Sequence, residues 1–299
     1  MQEESTQFHS DALTLSGSFF WPDDAGTDEP RPLVIACSGF TGLCRIHPAR
    51  FARYLTARGH ACFGFDYRGF ADSDGPRGRV ILDEQVRDIR AATAFAAGDR
   101  RIDADRIILL GWGMGAGLVI DAARELPGVI GLVAANGFYH GAQVQQHHRG
   151  ADGLAAFRDL LRRHRDAHAR TGAVAEMDAF DLYPLDAQSR RYVDDVLRKT
   201  PGYQGENYTY DLGDSLLRWN VLASCAALDL PLLIAHGDRN ALHPIEQAEA
   251  LRDAWSGACE LFWLQGAGHT EFMDDADPKF QALADRIERW VRELFSPTS

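Results

Sequence analysis

The sequence predicts an α/β protein: a mostly parallel, twisted sheet with helices on both faces. Two observations lead there. Short apolar runs alternate with longer segments of helical periodicity, and each run ends near Gly, Asp, Asn or Ser. Sheets of this kind bind ligands at the carboxyl ends of their strands. The chain's 299 residues, 45% hydrophobic and 25% charged, are enough to bury a substantial core.

Taken in order, the expected strands are Leu13–Trp21, Leu33–Ser38, Ala61–Asp66, Arg106–Trp112, Val129–Asn136, Leu232–His236 and Glu260–Leu264. Between them fit helices Pro48–Arg58, Leu82–Ala97, Met114–Glu125, Ile245–Trp255 and Lys279–Phe295. The last carries Phe280, Leu283, Ile287, Trp290, Val291 and Leu294 on one face, the pattern of a core helix. The alternation fails between Gly141 and Leu230. Residues 142–230 therefore read as an inserted cap, with helical pieces Gly153–His168 and Tyr192–Lys199 and a long loop at Pro201–Asp214. Residues 1–141 and 231–299 form the core domain.

Charge and composition exclude several classes. With 31 basic against 43 acidic side chains, net −12, the averaged field repels nucleic acid and anionic membranes, so neither is an expected partner. The opening MQEESTQFHSDALTL lacks a basic leader, and no apolar window is long enough to span a bilayer. Cys37, Cys44, Cys62, Cys225 and Cys259 lack paired ligand spacing and suit a reducing compartment, so a cytoplasmic protein is expected. His147, His148, His164 and His168 read as a solvated helix face, and neither metal nor cofactor is expected. The sequence leaves a homodimer open.

The chemistry centres on Gly111-Trp112-Gly113-Met114-Gly115, which follows the strand Arg106–Leu110 and opens a helix of small residues. Strand, tight glycine turn and helix are the context of a nucleophile elbow, G-x-S-x-G. The same residues match the dinucleotide fingerprint G-x-G-x-x-A, but Asn136 stands where the acidic ribose ligand belongs.

Four further segments agree in order: Cys37-Ser38-Gly39-Phe40-Thr41-Gly42, Asp66-Tyr67-Arg68-Gly69-Phe70-Ala71-Asp72-Ser73, Pro231–Pro244 (PLLIAHGDRNALHP) and Gly266-Ala267-Gly268-His269. Together with the elbow they resemble the α/β-hydrolase superfamily, in particular its capped serine hydrolases. The resemblance spans nearly the whole chain outside the cap. It implies that Phe40 or Thr41 and Met114 supply oxyanion NH groups, that His269 is the catalytic histidine, and that the loop after Gly237 carries its orienting acid. Asp66 and Arg68 read as structural ties.

Two departures matter more. Gly113 holds the serine position, so no acyl-enzyme can form there. Glycine also relieves a strained turn worth about 1 to 3 kcal/mol. Asn240 holds the acid position, with Asp238 two residues early. An amide there costs about 10⁴ in rate in a serine protease, yet asparagine orients histidine in Cys-His-Asn enzymes. Asp238 and Asn240 both remain candidates to orient His269. Trp112, Tyr139 and His140 are expected to bind substrate at strand ends, whereas Cys44 has nothing nearby to make it a surrogate nucleophile.

What remains is His269 as a base beside an anion hole. That suits non-hydrolytic proton transfer on a carbonyl-containing small molecule: cyclisation, condensation, C–C cleavage or rearrangement, with a polyketide-like substrate by analogy. Two alternatives stand beside it, a ligand-binding pseudoenzyme and an ester or thioester hydrolase whose serine was replaced by Gly113.

Overall fold

The computed structural model describes every residue except 24–28, 41, 204, 206, 271–273 and 297–299. Its core is one eight-stranded sheet. In chain order the elements are β1 (Gln2–Ser10), β2 (Leu13–Trp21), β3 (Arg31–Cys37), α1 (His47–Thr56), β4 (Ala61–Phe65), α2 (Leu82–Ala97), β5 (Ile102–Trp112), α3 (Met114–Ala123) and β6 (Val129–Ala135). There follow α4 (Gly141–Thr171), β7 (Glu176–Asp178), α5 (Ala179–Leu182), α6 (Ala187–Asp195), β8 (Asn207–Thr209) and α7 (Asp211–Arg218). The chain then completes β9 (Leu232–Gly237), α8 (Ile245–Ala254), β10 (Cys259–Leu264) and α9 (Pro278–Phe295).

The strand order is β1-β2-β4-β3-β5-β6-β9-β10. β1, β2 and β4 pair antiparallel, and the remaining neighbours are parallel. All seven expected strands are present, and β1 is an addition. Its sequence QEESTQFHS is mostly exposed at the sheet edge, so it carries no apolar signal for the eye to catch.

Alternation along β5 divides the interior into two layers. Ile107 and Leu109 face one core, Ile108, Leu110 and Trp112 the other. α1 and α9 cover the second layer with Phe51, Leu55, Phe280, Ile287 and Val291, while α2, α3 and α8 cover the first. Each such side chain contributes about 1.5 to 3 kcal/mol by leaving water. α9 starts where Asp277 accepts the Lys279 NH at 2.8 Å and Pro278 presets the first turn.

β6 lies beside β9, so residues between them form an insertion whose elements are helical apart from the small β7–β8 ribbon. α4 runs well beyond its expected piece, bending at Gly150 (φ 67°, ψ 178°). The expected helix Tyr192–Lys199 is shifted: α6 starts earlier, where Asp186 accepts the NH groups of Gln188 and Ser189 at 2.8 and 2.9 Å. The expected loop Pro201–Asp214 contains β8 and the first turn of α7, and Gln204 and Glu206 lie outside the described residues. No helix among the described residues is long and apolar enough to cross a membrane.

Arg68 forms a buried ion pair with Asp88 of α2, its Nε 3.0 Å from Oδ1, and reaches Asp11 at 3.0 Å. It ties the loop after β4 to the β1–β2 turn.

Candidate active site

The site forms where β3, β5, β6, β9 and β10 end side by side. Parallel pairing aligns Cys37 with Gly111 and Trp112 with Ala135, which brings the loops after these strands to one crevice. Gly113 closes β5 by donating its NH to the Ala135 carbonyl at 2.8 Å, then turns into α3 at φ 56°, ψ −121°. That left-handed backbone favours glycine. A Cβ on Gly115 would sit 2.3 Å from the Ser38 carbonyl oxygen, so the helix can approach β3 this closely only without a side chain.

At Gly113 itself there is room. A Cβ would lie 3.6 Å from His269 Nε2 and 3.9 Å from His243 Cε1, both ordinary contacts. The turn therefore aims its one side-chain position at an imidazole, and this chain fills that position with hydrogen.

His269 is buried behind the turn, and its Nδ1 meets the Asn240 side-chain Nδ2 at 3.2 Å. The direction of that bond follows from the other end of the amide. Asn240 Oδ1 accepts the backbone NH groups of His243 at 2.9 Å and Leu242 at 3.2 Å. Reversing the amide would set its NH₂ against those two donors, so Nδ2 must face the ring. Asn240 thus donates and His269 Nδ1 accepts, which leaves the ring proton on Nε2. In this arrangement the Nδ1 lone pair meets Asn240 and the ring turns Nε2–H toward the pocket. Burial, then the neighbouring His236 and His47, hold its pKa well below the usual histidine range, so it is neutral.

A second imidazole backs the first. His243 crosses the His269 ring edge-on, centroids 4.6 Å apart. Its Nδ1 donates to the Asn136 carbonyl at 2.6 Å, and its Nε2 accepts the hydroxyl of Tyr183 from the insertion. Burial keeps it neutral too, with His269 adding to the effect. Asn136 adopts φ 49°, accepts the Gly237 NH at 2.8 Å and donates to the His269 carbonyl at 3.2 Å. From α6, Gln188 Oε1 accepts the backbone NH groups of His269 at 2.9 Å and Thr270 at 3.1 Å.

These groups border a cavity of about 60 Å³ between sheet and insertion, walled by Phe40, His47, Trp112, Gly113, Met114 and His269 from the core. Phe180, Tyr183, Leu185, Tyr192, Val193 and Leu197 close it from the insertion. The NH of Met114 opens α3 and has no acceptor within its helix.

The expected residues divide clearly. Gly113, Met114, Phe40, Trp112 and His269 share the cavity, and Asn240 touches His269. Thr41 lies outside the described residues. Among the described residues no hydrogen bond joins Asp238 to His269, and one Asp238 oxygen is buried without a partner. Tyr139 and His140 lie outside the cavity wall. The turn at Asn136 carries them toward α8, where Gln247 Oε1 accepts their NH groups at 3.0 and 2.9 Å. Cys44 is also elsewhere, in a polar crevice beside Asp66, its thiol pushed up by burial. His47, His243 and Gln188 were not singled out from sequence, and Tyr183 was read only as a cap tyrosine packing on the core. Only His243 carried a local signal, three residues after Asn240 in the acid loop.

Chemically, the cavity offers hydrogen-bond donors with no nucleophile at the turn. Met114, which opens α3, and the neutral imidazole of His269 both line the cavity.

Comparison with known proteins agrees with this architecture. A protein of Escherichia coli, described as an uncharacterized 31.7 kDa protein in the traX-finO intergenic region, is 28% identical over 88% of this chain and 91% of its own. The monoglyceride lipase of Saccharomyces cerevisiae is 24% identical over 92% of this chain and 89% of its own. The crystal structure of the α/β hydrolase GrgF from a Penicillium species superposes with a TM-score of 0.80 at 16% identity, covering 99% of each chain. The model of the family described as serine aminopeptidase, S33, matches residues 28–276. The chain belongs to that family and has the α/β-hydrolase fold.

Proposed function

We propose that this chain is an enzyme that acts on a carbonyl-containing small molecule without forming an acyl-enzyme. The observation that carries the reading is the Gly113 turn, whose side-chain position faces His269 Nε2 at 3.6 Å and holds no nucleophile. The insertion serves as a cap. The substrate carbonyl sits in an oxyanion hole formed by the NH groups of Phe40 and Met114, with His269 Nε2–H as a further donor. The favoured reactions are those passing through an enolate: cyclisation, condensation, C–C cleavage or rearrangement, with a polyketide-like substrate. The mostly apolar wall supports a compact, carbon-rich ligand.

The test is incubation with a panel of short β-ketoacyl thioesters, followed by mass spectrometry. Isomeric, cyclised or cleaved products, reduced about 10²-fold or more in His269→Phe, support the reading, because one oxyanion donor is worth about that much. Simple release of the free acid by the unaltered chain overturns it.

A second reading, a non-catalytic ligand-binding protein, is favoured by the engaged lone pair of His269. It predicts saturable binding of the same panel with no product.

A further inference from the structure

His47 begins α1, immediately beyond the loop that carries Phe40, and is buried in the cavity wall with Gly113, Met114 and His269. Its ring stacks on Trp112, centroids 4.9 Å apart and planes 15° from parallel. Among the described residues neither of its ring nitrogens has a hydrogen-bond partner. The other buried histidines are engaged: His236 with the His243 carbonyl, His243 with Asn136 and Tyr183, His269 with Asn240. Stacking on Trp112 requires only a flat ring, which phenylalanine supplies without burying two polar nitrogens. An unpaired buried polar group costs about 1 to 3 kcal/mol, so a ligand that pairs with it recovers a comparable amount.

We propose that His47 is the proton acceptor of this cavity, taking an α-hydrogen from a small ketone or ester whose carbonyl oxygen is held by His269 and the backbone NH groups. The inference rests on the carbonyl-binding reading above and adds the base it lacks. His269 cannot serve, since its Nδ1 lone pair is used by Asn240 and its Nε2 carries hydrogen. Neutral His47 keeps one sp² lone pair that no described residue uses. Burial, and to a lesser degree Arg50, hold it in that neutral form. In the step, the α C–H bond breaks and its electron pair forms the C=C bond of an enolate. The carbonyl π pair moves onto oxygen, facing the donors, and the proton resides on His47. Return of that proton, or of one exchanged from solvent, to carbon reverses the step.

The experiment uses the full chain with cyclopentanone in D₂O near neutral pD, where the ketone alone exchanges slowly. Binding is followed by Trp112-sensitive fluorescence and by saturation-transfer NMR, and α-deuteration by loss of the α-proton signal. The expected result is binding with α-deuteration well above the buffer rate. His47→Phe, which keeps the stack, should still bind and lose about 10²-fold or more of the exchange, the usual contribution of a positioned base. If the unaltered chain binds without exchange, or His47→Phe exchanges equally fast, His47 is not the acceptor and the carbonyl site survives. If the ketone does not bind, both readings fall. Should His47→Phe not fold, ¹⁵N-histidine spectra of the unaltered chain decide. An unprotonated His47 nitrogen perturbed by the ketone supports the proposal, and a His47 ring protonated at both nitrogens or indifferent to the ketone overturns it.

Discussion

The Asn240 amide donates to His269 Nδ1 across 3.2 Å, the reverse of the contact a carboxylate would make. A carboxylate accepts from Nδ1 and leaves Nε2 free to take a proton, whereas this amide fixes the proton on Nε2. Two backbone NH groups on Asn240 Oδ1 hold that polarity in place.

Asn240→Asp should therefore invert the ring. The new carboxylate would accept the same two NH groups and the Nδ1 proton, and its charge would raise the His269 pKa. Histidine ¹⁵N spectra are expected to show the ring proton moving from Nε2 to Nδ1. An unchanged Nε2–H signal would refute the assignment of the amide.

Restoring a hydroxyl at Gly113 should not by itself restore hydrolysis. Gly113→Ser has room for its Cβ but adopts φ 56°, ψ −121°, so a loss of about 1 to 3 kcal/mol in stability is expected from urea unfolding. With His269 Nε2 already protonated, the serine has no base, and p-nitrophenyl acetate turnover should appear only when Asn240→Asp is added. Substantial turnover by the single variant would contradict the tautomer.

The buried histidines should make the fold acid-sensitive. Burial holds His47, His243 and His269 well below the usual range and His236 at about 4. The unfolded chain therefore takes up their protons first. Their stabilising effect is complete above about pH 6.5 and is lost as pH falls, at about 1.4 kcal/mol per unit for each ring. Asp66 works the other way, because burial pushes it up to about 6 and its protonation favours the folded form below that pH. Burial raises Asp88 as well, and it lowers His60, His140 and His148, so the rings outnumber the carboxyls and the urea midpoint should fall from pH 6.5 to 5. A flat or rising midpoint would contradict it.

Gln188→Ala should free the His269 loop. It removes the acceptor of two backbone NH groups, at 2.9 and 3.1 Å. Hydrogen exchange at His269 and Thr270 should accelerate, with a stability loss of about 1 to 3 kcal/mol. Unchanged protection at both amides would show that α6 does not anchor the loop.

The parts of the site visible in the sequence were those set by short stretches of chain. Gly111 to Gly115 after an apolar run announces a strand-to-helix turn, and Gly266 to His269 after β10 announces a loop histidine. Asn240 was visible as a candidate, but choosing it over Asp238 needed the register of a turn. The rest depends on distant pairings. His47 gains its meaning from Trp112, a residue of β5, and Gln188 from a loop far along the chain. The placement of Tyr139 and His140 against α8 depends on the turn at Asn136 and on Gln247, and the second partner lies more than a hundred residues away. In the fold, β1 escaped because an exposed edge strand need not alternate.

Helix α6 walls the cavity with Tyr192 and Val193, and through Gln188 it also fastens the backbone behind His269. One short helix therefore serves both as a wall of the cavity and as the clasp of the backbone that carries the imidazole.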